Sequence, residues 1–458
     1  MKAGIEVHQQ LSTGKLFCGC PAELSEEHRG SVERRLRATG GENHHVDPAA
    51  AFQAARELRY RYEIVPSSCL VELDEEPPHA LSEAALDVAL TMALLLHARP
   101  LDEIEVMRKI VVDGSNTAGF QRTALVAVGG WIEVGGKRYS VPSVCLEEDA
   151  ARKVGESPGE ITFRLDRLGI PLVEIATGPE ITSGTEAREV AEEIGLLLRA
   201  TGRVRRGIGT IREDVNVSTD GGARVEIKGV QELRLLHRYA EGEEERQRAL
   251  LAVRDRLRER AARVPGDPTV DVARVLPADA KGLLPDAARK GQVVRALRLI
   301  GFQGLLGATG VEGERLGREL AERARAAGLR GLVHSDEVPG YGLDAAAVER
   351  LRAELGLAEE DAFVIVAAPD LALAERALAG VRRRAEEALA GIPEETRDPL
   401  PDGRTRYSRP LPGRDRMYPE TDVPPIRVDP ARLERLRREL PERPDVLRTR
   451  LSQTYGIN

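Results

Sequence analysis

The stretch Gly4-Ile5-Glu6-Val7-His8-Gln9-Gln10-Leu11, close to the start of the 458-residue chain, alternates polar and apolar residues as a β-strand does. Successive side chains of a strand point to opposite faces, so Glu6, His8 and Gln10 should share one face. The residues between them, mostly aliphatic, could then pack on a core. The polar face would present a carboxylate and an imidazole close enough to bind one ligand. The alternative is an edge strand whose polar face meets only water.

Composition limits the classes of protein that fit this chain. Its length is enough for two or three domains, and with aromatic residues at only 3% the core must be largely aliphatic. The formal net charge of −8 argues against a protein that coats nucleic acid by bulk charge, although a local basic face remains open.

The N-terminus, the apolar runs and the cysteines bear on localisation. No signal peptide is recognisable, and the most apolar run, Val88 to Leu96, is too short to span a bilayer. Four cysteines in so long a chain do not make a disulfide framework. We therefore expect a cytoplasmic protein without a membrane segment.

Three later segments repeat the opening pattern. They are Pro171-Leu172-Val173-Glu174-Ile175-Ala176, Asp214-Val215-Asn216-Val217-Ser218 and Arg224-Val225-Glu226-Ile227-Lys228. An ionised carboxylate such as Glu174 inside an apolar strand is costly without a partner or a metal. A solvated face would be richer in Lys, Thr and Ser, so we predict an antiparallel sheet with a concave polar face. Oxygen ligands with one imidazole suit Mg²⁺, which commonly binds together with substrate phosphates.

The segments Trp131 to Val134 and Lys137 to Val141 are predicted to form a hairpin with a Gly135-Gly136 turn. The next predicted strand ends in Leu146-Glu147-Glu148-Asp149. Neighbouring residues of a strand face opposite ways, so only one of the two glutamates can join a given site while the strand continues. The sequence does not decide which one.

Two features near residue 110 could bind a nucleotide. The loop Asp113 to Gly119 is built of small residues, among them Ser115 and Asn116, and could approach a phosphate closely. It is not a Walker loop, because no Gly-Lys-Ser/Thr follows at the required spacing. The pair Arg108-Lys109 precedes it within an aliphatic run and could either bind phosphate or point outward in a structural role.

The positions of the four cysteines have two possible explanations. Cys18 and Cys20 form a Cys-x-Cys, whereas Cys69 and Cys145 are distant single residues. Structural zinc usually needs two close pairs of ligands, so small residues buried at a turn are the favoured explanation and zinc the alternative. The segment Cys69 to Leu73 is predicted to be a strand.

The predicted fold class is α+β. Residues 1–270 form a mostly antiparallel cradle domain, 271–400 an inserted α+β module, 401–430 a return to the cradle and 431–458 the start of a helical region. A helix from Glu83 to Ala98, capped by Ser82, should pack under the sheet, and Asp344 and Asp370 should cap helices of the inserted module.

These segments, in this order, resemble the GatB/GatE family of tRNA-dependent amidotransferases, and its archaeal-type members most. The motifs that carry the resemblance are Glu6 to Leu11, Leu16 to Cys18, Leu73 to Pro78, Arg108-Lys109, Asp113 to Thr117, Gly119 to Gln121, Leu146 to Ala150, Pro171 to Ile175, Arg212 to Asn216, Glu226 to Lys228 and Tyr418 to Pro425. The 271–400 module is similar to the insertion domain of bacterial-type aspartyl-tRNA synthetases.

The resemblance implies an activity. Members of the family convert Glu-tRNA(Gln) to Gln-tRNA(Gln): ATP phosphorylates the γ-carboxylate of the tRNA-bound glutamate, and ammonia then displaces phosphate. Phosphoryl transfer is catalysed mainly by positioning and charge neutralisation, which requires Mg²⁺ and a cation.

The resemblance also implies site residues. Glu6, His8, Glu148 (or Glu147) and Glu174 match the metal-site positions of the family. Further candidates are Glu147, Asp214, Asn216 and Lys228 for catalysis, and Arg108, Lys109, Ser115 and Asn116 for binding ATP.

The family supplies ammonia from an asparaginase-like partner, the D subunit, through a channel, so a hetero-oligomer is expected. Family members continue into helical and tail domains that grip tRNA, so we expect the chain ending at Asn458 to be either a truncated piece of a longer protein or a shortened member of the family. The alternative function is a non-catalytic tRNA-binding or assembly paralogue that retains the fold. A decayed paralogue should have lost Glu6, His8 or Glu174, and all three are present.

Overall fold

The fold is known from a computed structural model that describes residues 1–307, 315–413 and 416–456. The predicted ranges 271–400, 401–430 and 431–458 therefore each include a few residues that lie outside the described part.

Strands and helices alternate irregularly along the chain. The strands are β1 (Lys2–Gln10), β2 (Gly30–Arg34), β3 (Arg59–Ile64), β4 (Arg99–Pro100), β5 (Glu103–Ile104), β6 (Val106–Ile110), β7 (Phe120–Val134), β8 (Lys137–Glu148), β9 (Arg152–Ser157), β10 (Glu160–Arg164), β11 (Pro171–Ala176), β12 (Ile211–Ser218), β13 (Val225–Val230), β14 (Val270–Asp271), β15 (Val293–Leu299), β16 (Val333–His334), β17 (Ala362–Ala368), β18 (Glu395–Pro399), β19 (Thr405–Pro410), β20 (Met417–Pro419) and β21 (Ile426–Arg427). The helices are α1 (Pro48–Ala54), α2 (Glu83–Leu95), α3 (Gly184–Ala200), α4 (Leu236–Glu259), α5 (Leu283–Arg289), α6 (Leu316–Ala326), α7 (Ala345–Glu354), α8 (Leu371–Ala390), α9 (Pro430–Arg438) and α10 (Pro444–Tyr455).

The chain divides into two compact units. The first unit contains residues 2–216, 226–240 and the chain from Arg409 onward, and the second contains Met1, 217–225 and 241–408. The predicted mixture of helices with a large, mostly antiparallel sheet is confirmed. The finer assignment of residues 271–400 as a separate module remains a prediction, and α4 adds Leu250, Val253 and Leu257 to the core of the second unit.

A large sheet dominates the first unit. Its strands run in the order β13-β12-β1-β11-β8-β7-β6-β20, with β4 beside β7. Neighbours from β1 to β20 pair antiparallel. The predicted hairpin at Gly135-Gly136 joins β7 to β8, with Val134 opposite Lys137 and both glycines at positive φ.

Helices α2 and α3 pack on this sheet, α2 against β7 and β8 and α3 against β1. The Ser82 hydroxyl accepts a hydrogen bond from Ala85 N, which confirms it as the N-cap of α2. Ile5 and Val7 of β1 are completely buried, as the alternation of the opening stretch predicts. Two smaller sheets have the orders β2-β3-β10-β9 and β21-β5.

The second unit is built on the sheet β14-β15-β17-β16. Alternate residues of β15 and β17 enter two hydrophobic clusters, one shared with α4, α6 and α8 and the other with α5 and α7. The Asp344 and Asp370 carboxylates accept hydrogen bonds from Ala347 N and Leu373 N, which confirms both predicted caps.

Two further findings concern predictions made from the sequence. The segment Cys69 to Leu73 is a turn, so the predicted strand was wrong: Cys69 N donates to the Glu72 carboxylate at 2.7 Å, and this local bond bends the chain. Among the described residues, no helix combines the length and apolarity needed to cross a membrane.

Candidate functional site

Strand register places several polar residues of the large sheet on one face. His8 of β1 lies opposite Glu174 of β11, and Glu147 of β8 lies opposite Leu172, two residues from Glu174. Residues two apart on a strand share a face, and so do residues directly opposite each other. The same rule brings Thr123 of β7, opposite Glu147, onto this face.

Lys109 of β6 and the acids of β12 extend the face on either side. Lys109 lies opposite Gln121, two residues before Thr123, and so joins the Glu147 side. Asp214 and Asn216 come from β12, next to β1 in the sheet, and Lys228 comes from β13, next to β12. Strands far apart in sequence thus each contribute one or two polar side chains to a single surface.

His8 is shared by two groups of potential metal ligands. Ligand atoms of His8, Glu147 and Glu174 lie within 4.8 Å of one another, and so do those of Glu6, His8 and Asp214. We call these five residues the acidic cluster. His8 Nε2 is 3.0 Å from Glu174 Oε2, whereas its buried Nδ1 has no hydrogen-bond partner among the described residues.

Two lysines neutralise part of the cluster. Lys109 Nζ hydrogen-bonds Glu147 and lies 3.7 Å from Glu174 Oε2, and Lys228 Nζ lies 2.6 Å from Asp214 Oδ2. Burial alone would lower the pKa of Lys109, but the Glu147 and Glu174 carboxylates outweigh it and raise that pKa. Both lysines are therefore held as cations at the cluster.

The pKa values of Glu6 and Asp214 are shifted in opposite directions. Burial, together with the nearby charges of Glu174, Asp214 and Glu226, raises the pKa of Glu6 to about 7. Burial would also raise the pKa of Asp214, but Lys228 outweighs it and lowers that pKa to about 2. Asn216 Nδ2 donates to Glu6 Oε1 at 3.1 Å, so Asn216 orients the Glu6 carboxylate. Glu6 is thus the acid of the cluster with the least charge compensation.

Glu147, not Glu148, belongs to the acidic cluster. Thr123 Oγ1 and Gln121 Nε2 donate to the Glu147 carboxylate at 2.8 and 3.1 Å. Glu148, which the sequence analysis gave as a metal ligand with Glu147 as the alternative, lies on the opposite face of the sheet, 3.4 Å from Arg122 Nη1. The β8 strand continues through both residues, so their side chains must diverge.

Arg108 and Lys109 are separated in the same way. Arg108 lies on the reverse face, where it pairs with Glu420 at 2.5 Å and with Asp422 at 3.3 Å. The structure therefore brings Lys109 to the acidic cluster and gives Arg108 a pairing role that joins β6 to the segment around β20.

Ser115 and Asn116 lie in a loop that hydrogen bonds within the loop itself stabilise. Ser115 N and Oγ both donate to Asp113 Oδ1, at 2.9 and 2.6 Å. Asn116 is 3% exposed, and its buried Oδ1 has no partner in the described part of the chain. It lines a small cavity of the reverse face together with Arg122 and Glu148. The structure does not bring these two residues together with His8.

The sequence analysis did not single out two arginines whose charges act on the lysines. Arg409 Nη1 lies 3.8 Å from Asp113 Oδ2, and its charge acts on Lys228. The charge of Arg416 acts on Lys109. The only signal in the sequence is the position of Arg409 in a Pro- and Gly-rich segment, Arg409-Pro410-Leu411-Pro412-Gly413, and that of Arg416 two residues before the Tyr418 to Pro425 motif.

A second group of possible metal ligands involves the cysteines. Ligand atoms of Cys18, Cys20, Cys69 and Glu72 lie within 4.8 Å of one another, so Cys69 is not the isolated residue that the sequence indicated. Cys18 Sγ donates to Glu72 Oε1 at 2.9 Å, and burial with the Glu72 charge raises the pKa of that thiol. Three thiols and a carboxylate are ligand types that zinc accepts. The fold brings them together through the turn at Cys69.

The acidic cluster fits a hard divalent cation. Its donors are carboxylate oxygens with one imidazole nitrogen, and the unpartnered His8 Nδ1 shows that the ring is not fully used by the protein. The adjacent lysines add sites for anionic oxygens. Such a combination can hold a metal ion and a phosphate side by side.

Comparisons with known proteins agree on a family. The model of the GatB/GatE catalytic domain matches residues 1–434. The chain is 49% identical to the E subunit of the glutamyl-tRNA(Gln) amidotransferase of Aeropyrum pernix, covering 100% of this chain and 72% of that relative. It is 48% and 47% identical to the proteins of the same name from Thermococcus gammatolerans and Pyrococcus furiosus, covering 100% of this chain and 73% of each.

Proposed function

The chain belongs to the GatB/GatE family, and on that premise we propose that it converts Glu-tRNA(Gln) to Gln-tRNA(Gln) at the expense of ATP. The γ-carboxylate of the tRNA-bound glutamate is first phosphorylated, and ammonia then displaces phosphate to form the amide. A free carboxylate is a poor acyl donor because its leaving group would be oxide, so the first step provides a leaving group for the second.

The observation that carries this proposal is the acidic cluster flanked by Lys109 and Lys228. Glu6, His8, Glu147, Glu174 and Asp214 would hold Mg²⁺. When bound, Mg²⁺ would neutralise phosphate charge as the phosphoryl group moves.

The chain's own residues orient and compensate the reacting groups. Lys109 and Lys228 are cations that can each bind an anionic oxygen of the nucleotide or of the acyl phosphate. Thr123 and Gln121 fix the Glu147 carboxylate, and Asn216 fixes that of Glu6. This preorganisation means that little rearrangement is needed when charge develops.

The other parts of the proposal concern partners and architecture. We assign the ammonia to an asparaginase-like partner, the D subunit of a hetero-oligomer, and the compartment to the cytoplasm. Residues 271–400 resemble, in their sequence, the insertion domain of bacterial-type aspartyl-tRNA synthetases. A non-catalytic paralogue is disfavoured, because the cluster keeps every acid and the imidazole that the chemistry requires.

The test supplies the purified chain with Glu-tRNA(Gln), ATP, MgCl₂ and an ammonium salt, and measures glutamine on the tRNA after deacylation. We expect glutamine only when both ATP and Mg²⁺ are present. If none forms, even in complex with the asparaginase-like partner, the proposed activity is wrong.

A further inference from the structure

The segment that joins α3 to β12 is strongly basic, in a chain whose formal net charge is −8. No acidic residue occurs between Glu193 and Glu213. The arginines of this stretch are Arg199, Arg203, Arg205, Arg206 and Arg212. Two of them have partners, because Arg205 donates to a backbone carbonyl and Arg212 lies 3.3 Å from Asp149 Oδ1. The positive charge of the segment exceeds what these contacts use.

Residues 205–210, which we call the tip loop, are held at both ends by the last residues of β1. Arg205 N donates to Gln10 O, and Gln10 N donates to Thr210 O, each at 2.9 Å. The Gln9 side chain is 3% exposed, and its Nε2 donates to Arg205 O at 3.1 Å and to Thr210 O at 2.9 Å. Gln9 interrupts the apolar face of the opening stretch, and its amide acts there as a clamp on the loop.

The tip of this loop presents a fully exposed isoleucine. Ile208 is 100% exposed, and the glycines on either side, Gly207 and Gly209, have φ of +118° and +81°. Residues with a Cβ rarely adopt such angles, so the shape of the tip requires glycine on both sides of Ile208. A Cβ added to either glycine would meet no atom within 4 Å. Packing within the chain therefore does not account for the position of Ile208, and the open backbone leaves room for a partner.

Two arginines beside the tip have uncompensated charge. Arg203 and Arg206 are exposed, and neither pairs with a carboxylate in the part of the chain that the structure describes. An apolar side chain next to two such cations suits a partner that is anionic and has apolar faces. Single-stranded nucleic acid combines both properties, since its phosphates are charged and the faces of its unpaired bases are open to packing.

The tip loop begins and ends beside the acidic cluster. Gln10, which bonds both ends of the loop, lies two residues beyond His8 on β1, about 7 Å along the strand. In the reaction proposed above, the glutamate is esterified to the 3′-terminal ribose of the tRNA. The last nucleotides of the tRNA must therefore lie close to the cluster when the γ-carboxylate reacts.

We propose that the tip loop binds the single-stranded 3′ end of the tRNA. Arg203 and Arg206 contact backbone phosphates, and Ile208 packs against the face of a base. Gln9 is a positioning residue, because it touches no RNA and holds the loop in the shape that presents Ile208. The proposal rests on the function proposed above and identifies the surface that recognises the RNA part of its substrate.

An acidic protein surface is the other partner that positive charge would attract. A stable protein interface, however, involves about 20–30 residues on each side. The tip loop offers one exposed apolar side chain, which is enough to pack on a single base. Its geometry therefore favours RNA.

The experiment measures binding of the full chain to tRNA(Gln) and to the same tRNA without its single-stranded 3′ end, by fluorescence anisotropy. Arg206→Ala and Ile208→Ala should each raise the Kd for intact tRNA by about three- to tenfold. Arg206→Ala should also reduce the slope of log Kd against log salt concentration by about 0.7–1. The trimmed tRNA should bind the unsubstituted protein and both variants equally. Both side chains are exposed, so neither substitution should prevent folding.

Gln9→Ala tests the clamp separately from direct contacts. It should raise the KM for Glu-tRNA(Gln) by about three- to tenfold, with an unchanged kcat at saturating tRNA and an unchanged Kd for MgATP. A loss of thermal stability without a change in KM would show that Gln9 does not position the loop for RNA.

Arg138→Ala is the matched control for Arg206→Ala. Arg138 is an arginine of the same sheet with a 67% exposed side chain, and it lies nine residues from Glu147 along β8, about 30 Å away. This variant should bind intact and trimmed tRNA as the unsubstituted protein does.

The possible results have distinct meanings. An unchanged Kd for intact tRNA in Arg206→Ala and Ile208→Ala overturns the proposal, and so does an equal loss for intact and trimmed tRNA, which would place the contact on the body of the tRNA. Weaker binding of the asparaginase-like partner with unchanged tRNA binding also overturns it and assigns the loop to a protein interface. If the loop variants lose binding as predicted but the unsubstituted protein forms no glutamine, the function proposed above fails and the assignment of the loop stands.

Discussion

Two networks of buried charge, one in each unit, differ in how well their charges are matched. In the described part of the second unit, arginines and glutamates pair in one buried network that includes Arg246, Arg323, Arg384, Arg397, Glu243, Glu319, Glu322 and Glu395. Its ion pairs include Arg246 Nε to Glu243 at 2.8 Å and Arg397 Nη1 to Glu395 at 2.6 Å.

The acidic cluster of the first unit is not matched in this way. Burial would raise the pKa of Glu319 in the second unit, but three arginines outweigh it and hold that pKa well below its usual value. In the cluster the pKa of Glu6 is instead raised, first by burial and then by the charges of the Glu174, Asp214 and Glu226 carboxylates. His8 Nδ1 adds an unpartnered buried atom.

This difference distinguishes a charge network that stabilises the structure from one that forms a functional site. A balanced network stabilises one packing arrangement, although hydrophobic residues of the same shape could do so equally well. An unbalanced network stores repulsion that a bound cation would relieve, and perturbed pKa values of this kind are typical of functional sites.

Breaking the balanced network should have the largest effect. Arg246→Ala leaves Glu243 and Glu319 buried without their partner, so we expect the free energy of unfolding to fall by about 3–5 kcal/mol. Urea denaturation measures it. The control is Arg404→Ala, whose partner Asp402 is exposed, for which a loss of about 0–1 kcal/mol is expected. Similar losses in the two variants would contradict the distinction.

A matched pair of neighbours tests which face of the sheet is functional. Glu147→Gln removes a carboxylate of the cluster and should lower kcat/KM for Glu-tRNA(Gln) by about 10²–10³-fold. Glu148→Gln weakens a pair with Arg122 on the reverse face and should mainly reduce stability, by about 1–3 kcal/mol. Steady-state kinetics and denaturation of both variants give the answer. A larger loss of activity in Glu148→Gln than in Glu147→Gln would place the site on the reverse face of the sheet and contradict the assignment.

The smallest predicted effect is a substitution that should stabilise the protein. Glu6→Gln should raise the free energy of unfolding of the metal-free protein by about 1–2 kcal/mol at pH 8, because it removes a carboxylate that is buried and repelled by those of Glu174, Asp214 and Glu226. Above pH 7 the folded protein carries this repulsion in full. Below the usual Glu value of 4.5 the carboxyl is protonated in both folded and unfolded states, and the gain should disappear.

Glu319→Gln should behave in the opposite way. A carboxylate whose pKa is lowered by folding contributes stability above its usual pKa and loses it on acidification. The variant should therefore be less stable than the unsubstituted protein at pH 8, and the difference should shrink in acid. Thermal denaturation in EDTA at several pH values compares both variants. A stabilising Glu319→Gln, or a destabilising Glu6→Gln, would refute the comparison.

Sequence patterns predicted the parts of the structure that local rules determine. The two faces of the opening strand, the Gly135-Gly136 hairpin and the Ser82 cap depend on residues close in the chain, and the structure confirms them. The roles of the cluster residues themselves remain predictions that the experiments above test.

Other features of the site depend on strand register or on contacts between segments far apart in sequence, and these could not be predicted from the sequence. Glu147 and Glu148 are equivalent until the pairing of β8 with β11 is known. The neighbours of Cys69 depend on a turn that packs against Cys18 and Cys20. Arg409 comes within 3.8 Å of Asp113 in a part of the chain that follows the second unit, and no spacing rule connects these two residues.

The central claim is that the acidic cluster transfers phosphate to the tRNA-bound glutamate. The direct measurement incubates the protein with Glu-tRNA(Gln), Mg²⁺ and ATP labelled at the γ-phosphate, without an ammonia donor, and traps the acyl phosphate with hydroxylamine. We predict ATP-dependent formation of the γ-hydroxamate, and its loss in Glu174→Gln. No hydroxamate from the unsubstituted protein, or an undiminished yield from Glu174→Gln, would contradict the claim.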